Sequence, residues 1–392
     1  MLCYIRRMSS AVATFSFPTT TLFGPGTRSE LPARLQQIGC KRPLIVTDSG
    51  LLKAHAFDLL TQALGHSTEL HPEVFSGVHP NPVEQDVVLA ARAYADKGCD
   101  CVIAFGGGSV LDVGKACRLL IKRPRLALAS FNFNDDWRGL APCVCVPTTA
   151  GTGSEVGRSS VVTLDSTRRK TVLFHPELLA RLVILDPELT TGLPPRLTAA
   201  TGLDALTHCI ESFTSPVFHP LCDGVALEGI HLIVEALPRA FRNGNDLDAR
   251  GKMLVAAAMG AVAFQKDLGA THSLAHPLSS LCGMHHGTAN AVCLPAVMEF
   301  NAQRKPGLYR RVGVAAGIDV LKAGDPEADR RTIAFVRGLI REVGLGDGLR
   351  ALGVNESQLD ALADQAFADP CHATNPVPVT REDLRALYAA SM

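Results

Sequence analysis

Up to about residue 190 the chain alternates short apolar, β-rich runs with amphipathic stretches, and this alternation leaves few folds open. The runs are PLIVTD (Pro43 to Asp48), CVIAFGGG (Cys101 to Gly108), PCVCVPTT (Pro142 to Thr149), SVVTLD (Ser160 to Asp165) and LVILDP (Leu182 to Pro187). Runs so short and so continuously apolar fit strands buried on both faces, as in a parallel sheet covered by helices. Val83 to Lys97 has the helical periodicity of such a cover. A doubly wound, Rossmann-like α/β sheet is therefore expected. Beyond TGLPPRLTAATG the strand candidates nearly vanish, and Ala- and Leu-rich windows of 3.6-residue periodicity take over, as in Leu221 to Phe241 and Lys252 to Phe264. Pro194 and Pro195 mark the change. A chain of 392 residues exceeds what one hydrophobic core serves. The expected division is an N-terminal extension over 1–14, an α/β domain over 15–190 and an all-helical domain over 191–392, with the cleft between the domains as the natural site.

Composition narrows the partners. Hydrophobic residues are 47% and charged residues 19%, an ordinary globular balance. Lys plus Arg equals Asp plus Glu at 38 each, so no net field draws the chain to nucleic acid or to an anionic membrane, and a small-molecule substrate fits better. No apolar run reaches the roughly 18 residues of a membrane span. The 12 cysteines are scattered. Cys99 with Cys101, and Cys143 with Cys145, are two apart in apolar runs and so share a strand face, a core pattern with no second Cys/His pair at zinc-site spacing. Free thiols in this number point to a reducing cytosol, hence a cytoplasmic protein. The N-terminal MLCYIRRMSSAVATF reads as a loose extension, with Met8 as an alternative start.

Two segments of the α/β half carry anion chemistry. AFGGGSVLDVGK (Ala104 to Lys115) puts three glycines and a serine where a strand ends and a helix begins. There the backbone can approach a ligand closely, and the helix N-terminus favours an anion such as phosphate. The run is neither of the common fingerprints: Leu111 breaks GxGxxG, and Ser109 breaks GxxxxGK. Asp112 is placed to cap the helix or to accept a ribose hydroxyl. PTTAGTGSEVGR (Pro147 to Arg158) brings small and hydroxylated residues to the end of the next strand, so two loops on neighbouring strands would grip a diphosphate together.

The helical half carries metal chemistry. In GLDALTHCIE, Asp204 and His208 are four apart and share a helix face. THSLAHPLSSLCGMHHG holds four of the chain's 13 histidines: His272 and His276 repeat the four-residue spacing, and His285 and His286 follow a turn containing Gly283. One carboxylate with several imidazoles suits Fe2+ or Zn2+ better than Mg2+. Spacing alone would choose His272 and His276, and leaves open which of the four histidines bind.

GGGSVLDVGK, PTTAGTGSEV, DPELTTGLPPRLTAATGLDALTHCIE and HSLAHPLSSLCGMHHGTANAVCLP, in this order, closely resemble the iron-containing (group III) alcohol dehydrogenase family, from about Phe15 to beyond Ile340. The resemblance implies a dehydroquinate synthase-like fold, a Rossmann-like domain followed by a helical one, with a metal and a nicotinamide between them. It implies the ligands Asp204, His208, His272 and His286, and makes His276 a proton-relay residue near metal and nicotinamide. His285 matches no family ligand. Gly106, Gly107, Gly108 and Ser109 would meet the diphosphate, with Asn81, Asp112, Thr148, Thr149, Thr152 and Lys170 around the cofactor. Asp48 falls near the adenosine ribose, where a carboxylate accepts the 2′-hydroxyl and repels a 2′-phosphate, so NAD is expected over NADP. A homodimer or larger homo-oligomer is also implied. Many relatives have Gly where this chain has Asp267 in AFQKDLGATH, which puts loop geometry and substrate fit in question.

The expected reaction is hydride transfer between a small primary alcohol and nicotinamide, with a divalent cation acidifying the alcohol and His276 handling its proton. Arg158, at the substrate end by analogy, would pair with the carboxylate of a short ω-hydroxy acid such as 4-hydroxybutyrate, and Phe264 would form an apolar wall. The competing enzymatic reading is a polyol-phosphate dehydrogenase or a dehydroquinate synthase-like lyase on the same scaffold. A metal or nucleotide binder without turnover is the non-enzymatic one.

Overall fold

The structure is a computed structural model that describes residues 19–167 and 170–392. The N-terminal extension lies outside the described residues. By internal contacts the described residues form two compact units, one built from residues 19–198 together with Arg239–Ala258, the other from Ala199–Pro238 together with Met259–Met392. By contacts Arg239–Ala258 thus groups with the α/β residues, although in sequence it lies beyond the division expected near residue 190. Arg250 explains it locally: its buried guanidinium donates to the Gly244 and Leu193 carbonyls and to Thr198 Oγ1, tying Arg239–Ala258 to the end of the α/β unit.

The α/β unit is organised by a six-stranded parallel sheet. Its strands are β1 (Thr21–Phe23), β2 (Pro43–Val46), β3 (Glu73–Phe75), β4 (Cys101–Gly106), β5 (Cys143–Pro147) and β8 (Leu182–Leu185), in the order β1-β8-β5-β4-β2-β3. Every residue of β2, β4, β5 and β8 is buried, as continuous apolar runs require. Cys101, Cys143 and Cys145 have no exposure and lie in this core. The chain proceeds outward from β2 to β3 and, in the other direction, from β4 to β5. The order therefore reverses between β2 and β4, and the loops after these strands flank the crevice where such sheets take ligands.

Ser160 to Asp165 departs from expectation. It forms most of β6 (Ser159–Thr163), which pairs antiparallel with β7 (Lys170–Phe174) in a separate two-stranded sheet. Its alternating burial is that of a ribbon with one covered face. Two β-branched runs around a short polar turn were the hairpin signal.

The second unit is all-helical among the described residues. Helix Pro195–Thr214 carries Asp204 and His208; helix Ala270–Cys282 carries His272 and His276. The latter ends on Gly283 at φ 64°, a left-handed cap that only glycine adopts at no cost, and the chain turns directly into helix His286–Arg304. Among the described residues no single helix is long and apolar enough to cross a membrane.

Candidate active site

Four side chains of the helical unit point donor atoms at one place. Asp204, His208 and His272 are buried, with ligand atoms all within 4.8 Å of one another. Asp204 Oδ1 lies 4.0 Å from His208 Nε2 and 3.6 Å from His286 Nε2. The His272 ring stacks on His208 at 4.8 Å. The four-residue spacing of Asp204 and His208 makes one half of this set, and the Gly283 turn swings His286 back to complete it. His286, rather than His276, joins the cluster around Asp204.

The surroundings show what the cluster suits. Asn290 Nδ2 lies 2.7 Å from Asp204 Oδ1, 3.2 Å from His272 Nε2 and 3.3 Å from His286 Nε2. An amide nitrogen has two hydrogens, so three acceptors converge on a group able to satisfy two of them. A carboxylate and imidazole nitrogens aimed at one point are a donor set that suits a divalent cation such as Fe2+ or Zn2+. Burial alone would raise the Asp204 carboxyl, but facing His208, His286 and His272 overcomes it and holds it at about 2, so its oxygen is an anionic donor at neutral pH.

Glu211 supplies the second layer. Its carboxylate accepts from the Gly269 and Thr271 N–H groups at 3.1 and 2.6 Å and meets His272 Nδ1 at 2.6 Å. With Nδ1 as the donor, the His272 Nε2 lone pair is directed into the cluster. Burial raises Glu211, and the bonds to His272 and Thr271 more than reverse it, so it stays ionised. Sequence reasoning passed over Glu211, although Asp204, His208 and Glu211 stand at i, i+4 and i+7 of one helix face. It also passed over Asn290, four residues after His286.

His276 stands beside the cluster. Its ring stacks on His286 at 5.2 Å, and its Nδ1 meets Asp369 Oδ2 at 2.7 Å. Asp369 also accepts from Ser273 Oγ and the Cys371 N–H. Phe264 meets the His208 ring edge-on at 5.4 Å. His285 is exposed and precedes the last helix of the cluster.

In the α/β unit the loops after β4 and β5 interlock. Helix Gly108–Lys122 starts directly after β4, so its first N–H groups face the loop rather than carbonyls of its own helix. A Cβ at Gly108 would stand 2.6 Å from Thr152 Cγ2, and one at Gly107 would stand 3.4 Å from Thr149 Cγ2. Gly106 has φ 156° and is crowded by Val110. The glycines thus keep open a cradle that side chains would fill, and an anionic diphosphate fits it. Thr148 N–H bonds to the Gly106 carbonyl at 3.0 Å, and Ser109 Oγ donates to Pro80, next to exposed Asn81.

Other residues expected at the site, three for the cofactor and Arg158 for the substrate, have places inside the fold. Asp112 turns inward: its carboxylate accepts from Ser154 Oγ at 2.5 Å and Val161 N–H at 3.1 Å, with Lys115 Nζ at 3.4 Å. Asp48 Oδ1 accepts from the Gly50 and Leu51 N–H groups, closing the turn after β2. Lys170 opens β7, and Arg158 lays its guanidinium over the Phe174 ring at 5.3 Å.

Known proteins share this plan. Residues 18–187 match the model of the iron-containing alcohol dehydrogenases, and residues 198–392 match that of the C-terminal part of the Fe-containing alcohol dehydrogenase family. A 4-hydroxybutyrate dehydrogenase of Cupriavidus necator is 39% identical, the match covering 94% of this chain and 96% of the relative. The probable alcohol dehydrogenase EutG of Escherichia coli is 38% identical, over 97% of this chain and 95% of its own. A crystal structure of a 1,3-propanediol oxidoreductase superposes with TM-score 0.93 at 33% identity, covering 97% of this chain and all of the other. With both halves matched and a metal-binding donor set in the helical one, the chain belongs to the iron-containing alcohol dehydrogenases, enzymes of nicotinamide- and metal-dependent alcohol–aldehyde interconversion.

Proposed function

We propose that this chain interconverts a short ω-hydroxy acid, 4-hydroxybutyrate or a near homologue, and its semialdehyde, using NAD and Fe2+ or Zn2+. The observation that carries the metal role is the convergence of Asp204, His272 and His286 on Asn290 Nδ2. When bound, the cation supplies Lewis acidity toward the alcohol oxygen and the nicotinamide accepts the hydride. Asp204, His208, His272 and His286 hold the cation. Glu211 fixes the His272 tautomer. His276, with Nδ1 engaged by Asp369, is left to exchange a proton at Nε2. Phe264 walls the His208 side of the cluster.

The glycine loop, Thr148, Thr149 and Thr152 take the diphosphate, with Asn81, Ser109 and Lys170 nearby. Asp112 serves through Ser154 and Val161, holding the second loop against the first. Asp48 favours NAD by its charge beside the crevice between β2 and β4. The acidic-substrate reading is supported by the name of the Cupriavidus relative and by the cationic Arg158.

The test is an anaerobic NAD(H) assay on Fe2+- or Zn2+-loaded protein over C2 to C6 alcohols, diols and ω-hydroxy acids. The highest kcat/KM is expected for the hydroxy acids, and Arg158→Ala should raise their KM roughly tenfold while sparing neutral alcohols. A preference for neutral alcohols, or an equal effect of Arg158→Ala on both classes, contradicts the substrate assignment.

A further inference from the structure

Asp267 is the one described non-glycine residue with positive φ, at 60° with ψ −176°. That combination belongs essentially to glycine, because a Cβ there crowds its own backbone; it persists only where the surroundings over-determine it. Here they do. Lys266, without exposure, sets its ammonium on the Asp223 carboxylate and the Phe213 carbonyl. Ser215 Oγ donates to the Lys266 carbonyl at 2.6 Å, and Ser212 Oγ to the Asp267 carbonyl at 3.4 Å. Asp267 N–H closes the turn on the Phe264 carbonyl at 2.9 Å, and Thr374 Oγ1 holds the Leu268 carbonyl at 2.8 Å.

This stitched turn joins two pieces of the site. Before it stands Phe264, edge-on to His208; after it come the Gly269 and Thr271 N–H groups on Glu211, then His272 itself. The φ and ψ of Asp267 therefore set where Phe264 lies relative to the imidazoles. A buried ammonium must keep its partner or bear a large desolvation cost, so the Lys266–Asp223 pair tolerates little displacement.

We propose that Phe264–Asp267 is a strained clamp: the buried Lys266–Asp223 pair holds Asp267 in a glycine conformation and so fixes Phe264 as the wall that limits the substrate's carbon-chain length. Lys266 is a positioning residue, acting through Phe264. The inference rests on the reading that alcohol is oxidised at the Asp204 cluster.

The clamp is tested with Lys266→Met, Asp267→Gly and the double variant, all metal-loaded, by kcat and KM over C2 to C6 alcohols, metal content and thermal unfolding. Lys266→Met releases Asp267 from its strained conformation and should flatten the chain-length preference by roughly fivefold at unchanged metal content. Asp267→Gly relieves the strain in place, so Tm rises by a few degrees, to an order of magnitude, and the preference stays. In the double variant glycine holds the turn without the clamp, and the preference should return. A Lys266→Met enzyme with the original preference, or a double variant as flat as Lys266→Met, overturns the proposal. Ser215→Ala, which removes one anchor, replaces Lys266→Met should that protein not fold, and predicts a smaller loss rescued in the same way. If the parent enzyme turns over no alcohol, the site reading has failed on its own. Unfolding then still decides the clamp: Asp267→Gly must raise Tm more in the parent than in the Lys266→Met or Ser215→Ala background, and equal increments contradict it.

Discussion

Lys115 in the α/β unit and Asp204 in the helical unit are both buried charges, yet their neighbours treat them differently. Lys115 has no exposure, and its ammonium meets the Ser154 carbonyl and hydroxyl, the Ser159 carbonyl and Asp112. There the converging acceptors already hold a cation of the chain's own, the ammonium, which ties the loop to the helix. Around Asp204 the acceptors outnumber the donors, with a carboxylate and two imidazole nitrogens sharing one amide nitrogen. Acceptors gathered on a buried ammonium are scaffold; acceptors gathered on a neutral amide leave a place for a cation.

The contrast breaks most readily at Asp204. Asp204→Ala should remove the bound divalent metal and lower kcat/KM by roughly a thousandfold, while NADH binding by the α/β unit persists. Metal analysis with NADH fluorescence reads both halves in one preparation.

Glu155 tests the scaffold side. Burial pushes its carboxyl up to about 7 from 4.5, against the pull of Lys115. A raised carboxyl binds more protons folded than unfolded, so its contribution to stability is fully present below pH 4.5 and is lost as pH rises through about 7. The gap corresponds to about 3 kcal/mol. Glu155→Gln should flatten the stability–pH profile between these values, as read by denaturant unfolding across pH. An unchanged slope would mean that another group carries it.

Glu211→Gln sharpens the metal side: the His272 tautomer loses its anionic partner, and metal affinity should fall roughly 10- to 100-fold without loss of fold. Competition with a chelator measures it.

Gly108→Ala is the smallest change. Its Cβ meets both Cγ2 and Oγ1 of Thr152, so it should cost about 1–2 kcal/mol of NAD binding or stability, and Thr152→Ser, which deletes only the methyl, should restore part of it.

Much of this contrast is legible in the sequence, and the illegible part has physical reasons. Continuous apolar runs gave the sheet because a strand buried on both faces has no polar alternative. Asp204 with His208 is local, as is the turn at Gly283. Glu211 and Asn290 were also within local reach, but a Glu near a helix end and an Asn inside a helix have commoner surface uses. Asp369 was not within reach: it stands 93 residues from His276, and only tertiary folding pairs them. The β1 and β3 edge strands, three residues each, are too short to show a period. The strain at Asp267 was visible only as an unusual residue choice, since φ is not written in a sequence.

The most direct test of the central claim is an anaerobic Fe2+ or Zn2+ titration of the metal-free protein, parent and Asp204→Ala side by side, followed by calorimetry and NADH formation on the same samples. One equivalent bound by the parent, with turnover rising in proportion to it, and neither in Asp204→Ala, is the predicted result. Full metal occupancy in Asp204→Ala, or full turnover by the metal-free parent, would contradict it.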